Sequence, residues 1–275
     1  MHNSYFVKES YDLNDLLQIM EILRSPNGCP WDREQNHKSI RKNFIEETYE
    51  VLEAIDNNDT DLLREELGDV LLQIVFHSQM EKEAGNFDFN DVANDICKKI
   101  IERHPHVFSD TLVDSSTQVL KNWDEIKKQK KNQKTQSEVI NSIPRNLPAL
   151  MRSTKVQQKA AKIGFDWPDI NGALDKLTEE IEELKAAINK KDKKSINDEF
   201  GDVLFSAVNI SRFLLVDAEE ALTESCDKFI KRFEKVENLS VDKNLKLNEL
   251  SIGELDELWE EAKILISSGE NTCEL

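Results

Sequence analysis

Five acids recur in the same order and at the same spacing twice along the chain. They are Glu46-Glu47-x-x-Glu50 followed by Glu66-x-x-Asp69, and Glu179-Glu180-x-x-Glu183 followed by Glu199-x-x-Asp202. Glu47 and Asp69 are 22 positions apart, as are Glu180 and Asp202. Residues three or four apart stand on one face of a helix, so each set offers two acidic helix faces that can close around a hard cation. Carboxylates with no His or Cys among them suit Mg²⁺ or Mn²⁺ rather than zinc. The ExxD pattern, in place of ExxH, speaks against a di-iron bundle. One such set would mean little in a chain with 54 Asp and Glu among 275 residues. A merely solvated face, however, would interleave Lys or Arg, because like charges at these spacings cost an isolated helix about 0.2–0.5 kcal/mol per pair.

The surroundings of the acids repeat as well. Upstream stand Gly28-Cys29-Pro30-Trp31-Asp32 and Gly164-Phe165-Asp166-Trp167-Pro168-Asp169; downstream stand Lys99-x-x-x-Arg103 and Lys228-x-x-x-Arg232, then Trp123-x-x-x-Lys127 and Trp259-x-x-x-Lys263. The offset between copies runs 136, 133, 129 and 136, changing only between blocks, as loop insertions produce. The chain is therefore a tandem duplication. His77 and the run His104-Pro105-His106 have no counterpart in the second copy, which favours structural roles for them over metal ligation.

The elements that must carry these residues are helices. With 8 Gly and 6 Pro the chain lacks the turn chemistry of an all-β fold. Apolar positions recur with helical period at Leu13, Leu16, Leu17, Met20 and Leu23, at Ile45, Tyr49, Leu52 and Ile55, and from Leu63 to Val75 beyond the turn at Asp56–Asp59. The second copy repeats this at Leu174, Leu177, Ile181, Leu184 and Ile188, then at Phe200, Val203, Leu204, Ala207 and Val208. Short connections make consecutive helices antiparallel, so the expected fold is all-α, with two tandem helical bundle domains whose central pairs bear the acids. The expected boundaries are residues 1–130, a polar linker at 131–147, and residues 148–275 as the second domain.

Composition narrows the function classes. A net charge of −18 disfavours nucleic-acid polymers and anionic membranes as partners. Four cysteines without CxxC spacing fit a reducing cytoplasm, and no apolar run is long enough to span a bilayer.

Taken together, the two EExxE…ExxD blocks, the GCPWD segment, the run Glu66-Leu-Gly-Asp-Val-Leu-Leu-Gln-Ile-Val-Phe-His77 and the run His104-Pro-His-Val-Phe108 resemble the MazG family of tandem-domain nucleoside triphosphate pyrophosphohydrolases. The resemblance covers nearly the whole chain. It implies the all-α pyrophosphatase fold shared with dimeric dUTPases, a homodimer whose four-helix cores are completed by both subunits, and Mg²⁺-dependent hydrolysis of nucleoside triphosphates to monophosphate and pyrophosphate. It further implies Glu180, Glu183, Glu199 and Asp202 as metal ligands, with Glu47, Glu50, Glu66 and Asp69 as their first-domain counterparts, and Glu179 as the group that orients or deprotonates water, matched by Glu46. By the same resemblance Lys228 and Arg232 contact phosphate and act in catalysis, and Trp259 and Lys263 contact the nucleotide; Lys99, Arg103, Trp123 and Lys127 match them in the first copy. The second domain is the expected hydrolase. Asp198 stands where the family pattern usually has Glu, as Glu65 does in the first copy, and is left out of the ligand set.

Charge alone supports that chemistry. A triphosphate carries about four negative charges that bare carboxylates would repel, so a cation must bridge acid and phosphate. Lys228 and Arg232, one helical turn apart, suit a leaving pyrophosphate. Two alternatives remain open at this level: a non-catalytic helical Mg²⁺-binding dimerisation or interaction module, and a hydrolase narrowly selective for dUTP or dCTP.

Overall fold

The computed structural model describes residues 8–109 and 133–270 and, between them, 114–115, 118–119, 122–123, 125–126 and 130. Lys127, expected to pair with Trp123, lies outside the described residues. Among the described residues every regular element is helical, and the chain divides into two compact units, residues 1–127 and 128–275.

In the first unit the helices are α1 (Leu13–Arg24), α2 (Pro30–Glu34), α3 (Arg41–Asp56), α4 (Thr60–Glu83), α5 (Phe89–Arg103) and the single turn α6 (Pro105–Phe108). The acids sit on the α3–α4 hairpin. Its turn places Asn58 in the left-handed region at φ 54, where Asn is better tolerated than most residues. Asp59 then caps α4, accepting from the amides of Asp61 (3.1 Å) and Leu62 (3.0 Å). α1 and α5 both pack on α4. The core between α1 and α4 is Met20, Val75, Phe76 and Met80 with Ile40, flanked by Leu16, Leu17, Leu71, Leu72 and Phe89. His77 ties this unit together: its Nδ1 lies 2.7 Å from Nδ1 of His37, whose Nε2 lies 2.6 Å from Glu81 Oε1. The chain of bonds joins the segment before α3 to the end of α4. His104 Nδ1 meets the Ile100 carbonyl at 2.7 Å, closing the end of α5.

The second unit comprises α7 (Gln136–Asn141), α8 (Ala149–Ala161), α9 (Ile170–Lys190), α10 (Lys193–Leu214), α11 (Ala218–Asp242), a 3₁₀ turn (Leu247–Glu249) and α12 (Ile252–Glu270). α9 and α10 form the acid-bearing hairpin, α8 packs on α10, and the α11–α12 hairpin leans on α8. The hairpin turn repeats the first unit's device: Lys191 at φ 55, then Asp192 capping α10 through the Lys194 amide at 3.1 Å. The α11–α12 pair has its own core of Val236, Leu239, Leu258 and Ala262.

α7 falls inside the stretch expected to be polar linker. Thr135 caps it by accepting from the Glu138 amide at 3.2 Å, Gln136 Nε2 donates to the Lys159 carbonyl, and Ile143 is buried. Val139, Ile140 and Ile143 supply enough apolar surface on one face to dock the segment on α8, although polar residues surround them.

Candidate active site

Two acid clusters form, one per hairpin. Glu180, Glu199 and Asp202 each bring a carboxylate oxygen within 4.8 Å of the others, and so do Glu47, Glu66 and Asp69. The 22-residue spacing works because each pair of helices runs antiparallel from a capped turn, bringing the middle of α3 or α9 opposite the first turns of α4 or α10. Three of the four expected ligands form each tight cluster; the fourth stands beside it from the next turn, Glu50 against Glu66 and Glu183 near Glu199 and Glu180, and both are exposed, as is Asp198.

The electrostatics of both clusters show a deficit of positive charge. Burial pushes the Glu47 carboxyl up, reinforced by Asp69, Glu50 and Glu46. Burial likewise raises Glu66, with Glu50 next in effect, and raises Glu183, with Glu199 and Glu180 next. Glu66 is only 7% exposed and its Oε2 has no hydrogen-bond partner. A buried, unpartnered carboxylate oxygen beside two more carboxylates is the environment a hard divalent cation resolves, and these residues fit one.

Lys176 is a member of the second cluster that sequence reasoning did not identify. Its Nζ lies 2.8 Å from Glu180 and 2.9 Å from Glu179, and Glu180 with Glu179 holds the ammonium pKa well above its ordinary value. The signal was available, because Lys176 precedes Glu180 by one helical turn; among so many charges it reads as an ordinary helix pair.

Beside this cluster opens a cavity of about 730 Å³, to which Lys176, Glu180 and Asp202 contribute one wall and Phe165, Trp167 and Phe205 an aromatic one. The repeated Trp of the upstream motif is positioned by a glycine: a Cβ at Gly172 would lie 2.6 Å from the Trp167 ring, so only glycine lets the indole lie over the first turn of α9. The loop before it is anchored by Arg212, whose guanidinium grips Asp166 with two bonds, one of 2.8 Å, and depresses that carboxyl below its usual range. Arg212 also donates to Asn209 Oδ1 at 2.8 Å. Gln157 donates to the Phe205 carbonyl at 2.8 Å, leaving its buried Oε1 unpartnered at the cavity wall.

The same positions in the first unit are filled. By the repeat offsets of 136 and 133, Val156, Ala160, Ser206 and Asn209 correspond to Met20, Arg24, Gln73 and Phe76. Met20 is 1% and Phe76 5% exposed, both within the core, and the Arg24 guanidinium lies 5.2 Å over the Phe76 ring while bonding Glu83 at 2.8 Å.

The remaining predicted residues sit elsewhere. Lys228 is exposed and Arg232 half-buried on α11, and Trp259 and Lys263 lie on α12; none of the four lines the cavity. Trp259 packs against the α11–α12 core and tilts on Phe229 at 5.0 Å, with the Arg232 guanidinium 5.9 Å from its ring. Lys263 pairs with Glu260 at 2.8 Å. Arg103 makes the matching contact with Trp123 in the first unit, at 4.9 Å. Each copy therefore builds a guanidinium–indole pair at the equivalent place.

Comparison with known proteins agrees with this architecture. The family model described as the MazG nucleotide pyrophosphohydrolase domain matches twice, over residues 35–108 and 170–237, enclosing both acid clusters. A Thermotoga maritima protein named nucleoside triphosphate pyrophosphohydrolase/pyrophosphatase MazG is 49% identical over 249 residues, covering 90% of this chain and 94% of the relative. An Escherichia coli protein named nucleoside triphosphate pyrophosphohydrolase is 43% identical over 254 residues, covering 91% and 97%. The chain belongs to the MazG nucleotide pyrophosphohydrolase family.

Proposed function

We propose that the chain hydrolyses nucleoside triphosphates, ribo- or deoxyribo-, to nucleoside monophosphate and pyrophosphate in nucleotide-pool house-cleaning, and that the second unit performs the reaction. The observation that carries this is the juxtaposition in one unit of a cation-binding acid cluster and a cavity of about 730 Å³ with an aromatic wall, a size that accommodates a nucleoside. Glu180, Glu199 and Asp202, with Glu183 flanking, would hold Mg²⁺, for which Mn²⁺ can substitute; when bound, the ion supplies charge neutralisation and an acidified water. Glu179, exposed and paired at rest with Lys176, would orient the attacking water or accept its proton. Lys176, which lines the cavity and bonds Glu180, would meet the phosphate chain between cavity and acids. Trp167 and Phe205 offer faces to a nucleobase.

We assign Lys228, Arg232, Trp259 and Lys263 to phosphate and nucleotide contacts made in a homodimer. Support for a dimer comes from the acid hairpins. On α9 Leu174, Ile181 and Ile188 recur every seven residues and are exposed, as are Phe200 and Leu204 on α10. Ile45, Tyr49, Leu52, Ile55 and Leu67 form the matching face of α3–α4. Such stripes call for isologous cover by a second copy. Among the described residues no helix is long and apolar enough to cross a membrane.

The deciding experiment incubates the purified chain with each of the eight common nucleoside triphosphates and Mg²⁺ and identifies products by chromatography. Monophosphate and pyrophosphate are expected, abolished by EDTA and restored by Mg²⁺ or Mn²⁺; diphosphate and orthophosphate would exclude the reaction. Sedimentation at micromolar concentration should show a dimer, and a fully active monomer would defeat that assignment.

A further inference from the structure

We infer that in the absence of nucleotide a divalent cation loads the first unit's cage and not the second, because Lys176 already holds the buried carboxylate of the second. This rests on the assignment above of both clusters as cation sites. In the second unit the ammonium of Lys176 forks between Glu179 and the buried Glu180 at 2.9 and 2.8 Å. Charge-assisted bonds of this kind are the strong ones, and a metal entering the cluster must break the bond to Glu180 and then tolerate a displaced ammonium beside it. The corresponding position in the first unit, four residues before Glu47 as Lys176 is four before Glu180, holds the neutral Asn43. Lys42, the nearest basic residue in sequence, pairs with the exposed Glu46 instead, at 2.8 Å. Among the described residues no ion pair reaches Glu47, Glu50, Glu66 or Asp69, and Glu66, nine-tenths buried, keeps one carboxylate oxygen without any partner.

The two cages therefore have different resting states. The second holds one internal counter-ion on its buried carboxylate and waits for an anion that draws Lys176 away; the triphosphate is such an anion, so cation and substrate load together. The first has no internal counter-ion, and the positions that would admit a nucleotide are occupied by Met20, Arg24, Gln73 and Phe76. Its cation is a resident, structural one.

Bound Mn²⁺ is counted by electron paramagnetic resonance on the full chain without nucleotide. One tight site per chain is expected, abolished by Glu66→Gln and retained by Glu180→Gln. Lys176→Asn, which gives the second cage the residue of the first, should add a second site and tighten it roughly tenfold or more over the wild-type second site. Circular dichroism verifies folding of each variant, and the gain of a site by Lys176→Asn cannot arise from misfolding. Two equivalent sites in the wild type, no tight site at all, loss of the tight site in Glu180→Gln, or an unchanged count in Lys176→Asn would each overturn the inference. The measurement needs no turnover, so the assigned activity stands or falls separately: a wild type that releases pyrophosphate but binds two equivalent Mn²⁺ sinks only this inference, and one with the expected Mn²⁺ counts but no pyrophosphate release sinks only the activity.

Discussion

The two units carry the same acids at the same spacing, on hairpins closed by a left-handed residue at the same position and a capping Asp, yet they use the neighbouring space in opposite ways. In the second, small or polar residues at Val156, Ala160, Ser206 and Asn209 leave a cavity against the acids; in the first, Met20, Arg24, Gln73 and Phe76 stand at the same positions, Met20 and Phe76 within the core and Arg24 over the Phe76 ring. The duplicated halves thus share the acid cluster, while the adjoining cavity opens beside the second. A motif search sees two equal sites, whereas packing distinguishes them.

The largest expected effect breaks the symmetry outright. Glu180→Ala or Asp202→Ala should lower turnover by roughly 100-fold or more, since each deletes a carboxylate from a cage that must fix both ion and water. Glu47→Ala or Asp69→Ala should leave most turnover intact. Steady-state rates on the four variants decide this, and equal losses in both units would place catalysis in both.

A second test exchanges the packing. Phe76→Ala removes a ring that is 5% exposed and should destabilise the first unit by about 3–5 kcal/mol, read as a lower urea midpoint, with little change in turnover. The reciprocal change, Asn209→Phe, removes an acceptor of Arg212 and should lower the urea midpoint less than Phe76→Ala does, while kcat/KM falls roughly tenfold or more through KM, because the new ring takes substrate space. A cavity unrelated to the nucleotide would leave KM untouched.

The sequence carried most of this architecture because its signals were local. Helix identity came from the period of apolar residues such as Leu63, Leu67 and Val70, and the clusters from fixed acid spacing on antiparallel helices. Three of the four expected ligands per copy form each tight cluster, and Glu50 and Glu183 stand beside it from the next turn. The cavity was not legible, since it arises from what four side chains lack relative to their repeat partners, and such an absence has no motif. Lys176 was hidden among ordinary helix charges, and α7 was hidden by a polar composition that three apolar residues outweighed. Even the repeated glycine of the upstream motif misleads: Gly164 is needed for its φ of 84, but Gly28 because a Cβ would fall 2.2 Å from the Ile22 carbonyl oxygen.

The smallest effect sharpens the comparison through pH. In the metal-free protein the Glu66 carboxyl is raised above its unfolded value by burial and by Glu50. The folded state therefore binds more protons at Glu66 than the unfolded state, and its ionisation opposes folding as pH rises through the raised value. Glu66→Gln keeps the shape and removes the charge, so at neutral pH without metal it should melt at a higher temperature than the wild type. That advantage should shrink as pH falls and vanish below the ordinary carboxylate value of 4.5, where Glu66 is protonated in both states. Saturating Mg²⁺ should reverse the order at neutral pH, because only the wild type gains a ligand that stabilises the folded form. The matching substitution at Glu180 should behave oppositely without metal, lowering the melting temperature, since it strips Lys176 of its buried partner. Melting curves for both variants across pH 4 to 8, with and without Mg²⁺, check this; the same sign of shift for Glu66→Gln and Glu180→Gln in the metal-free protein would mean that the two cages do not differ in their internal counter-ion.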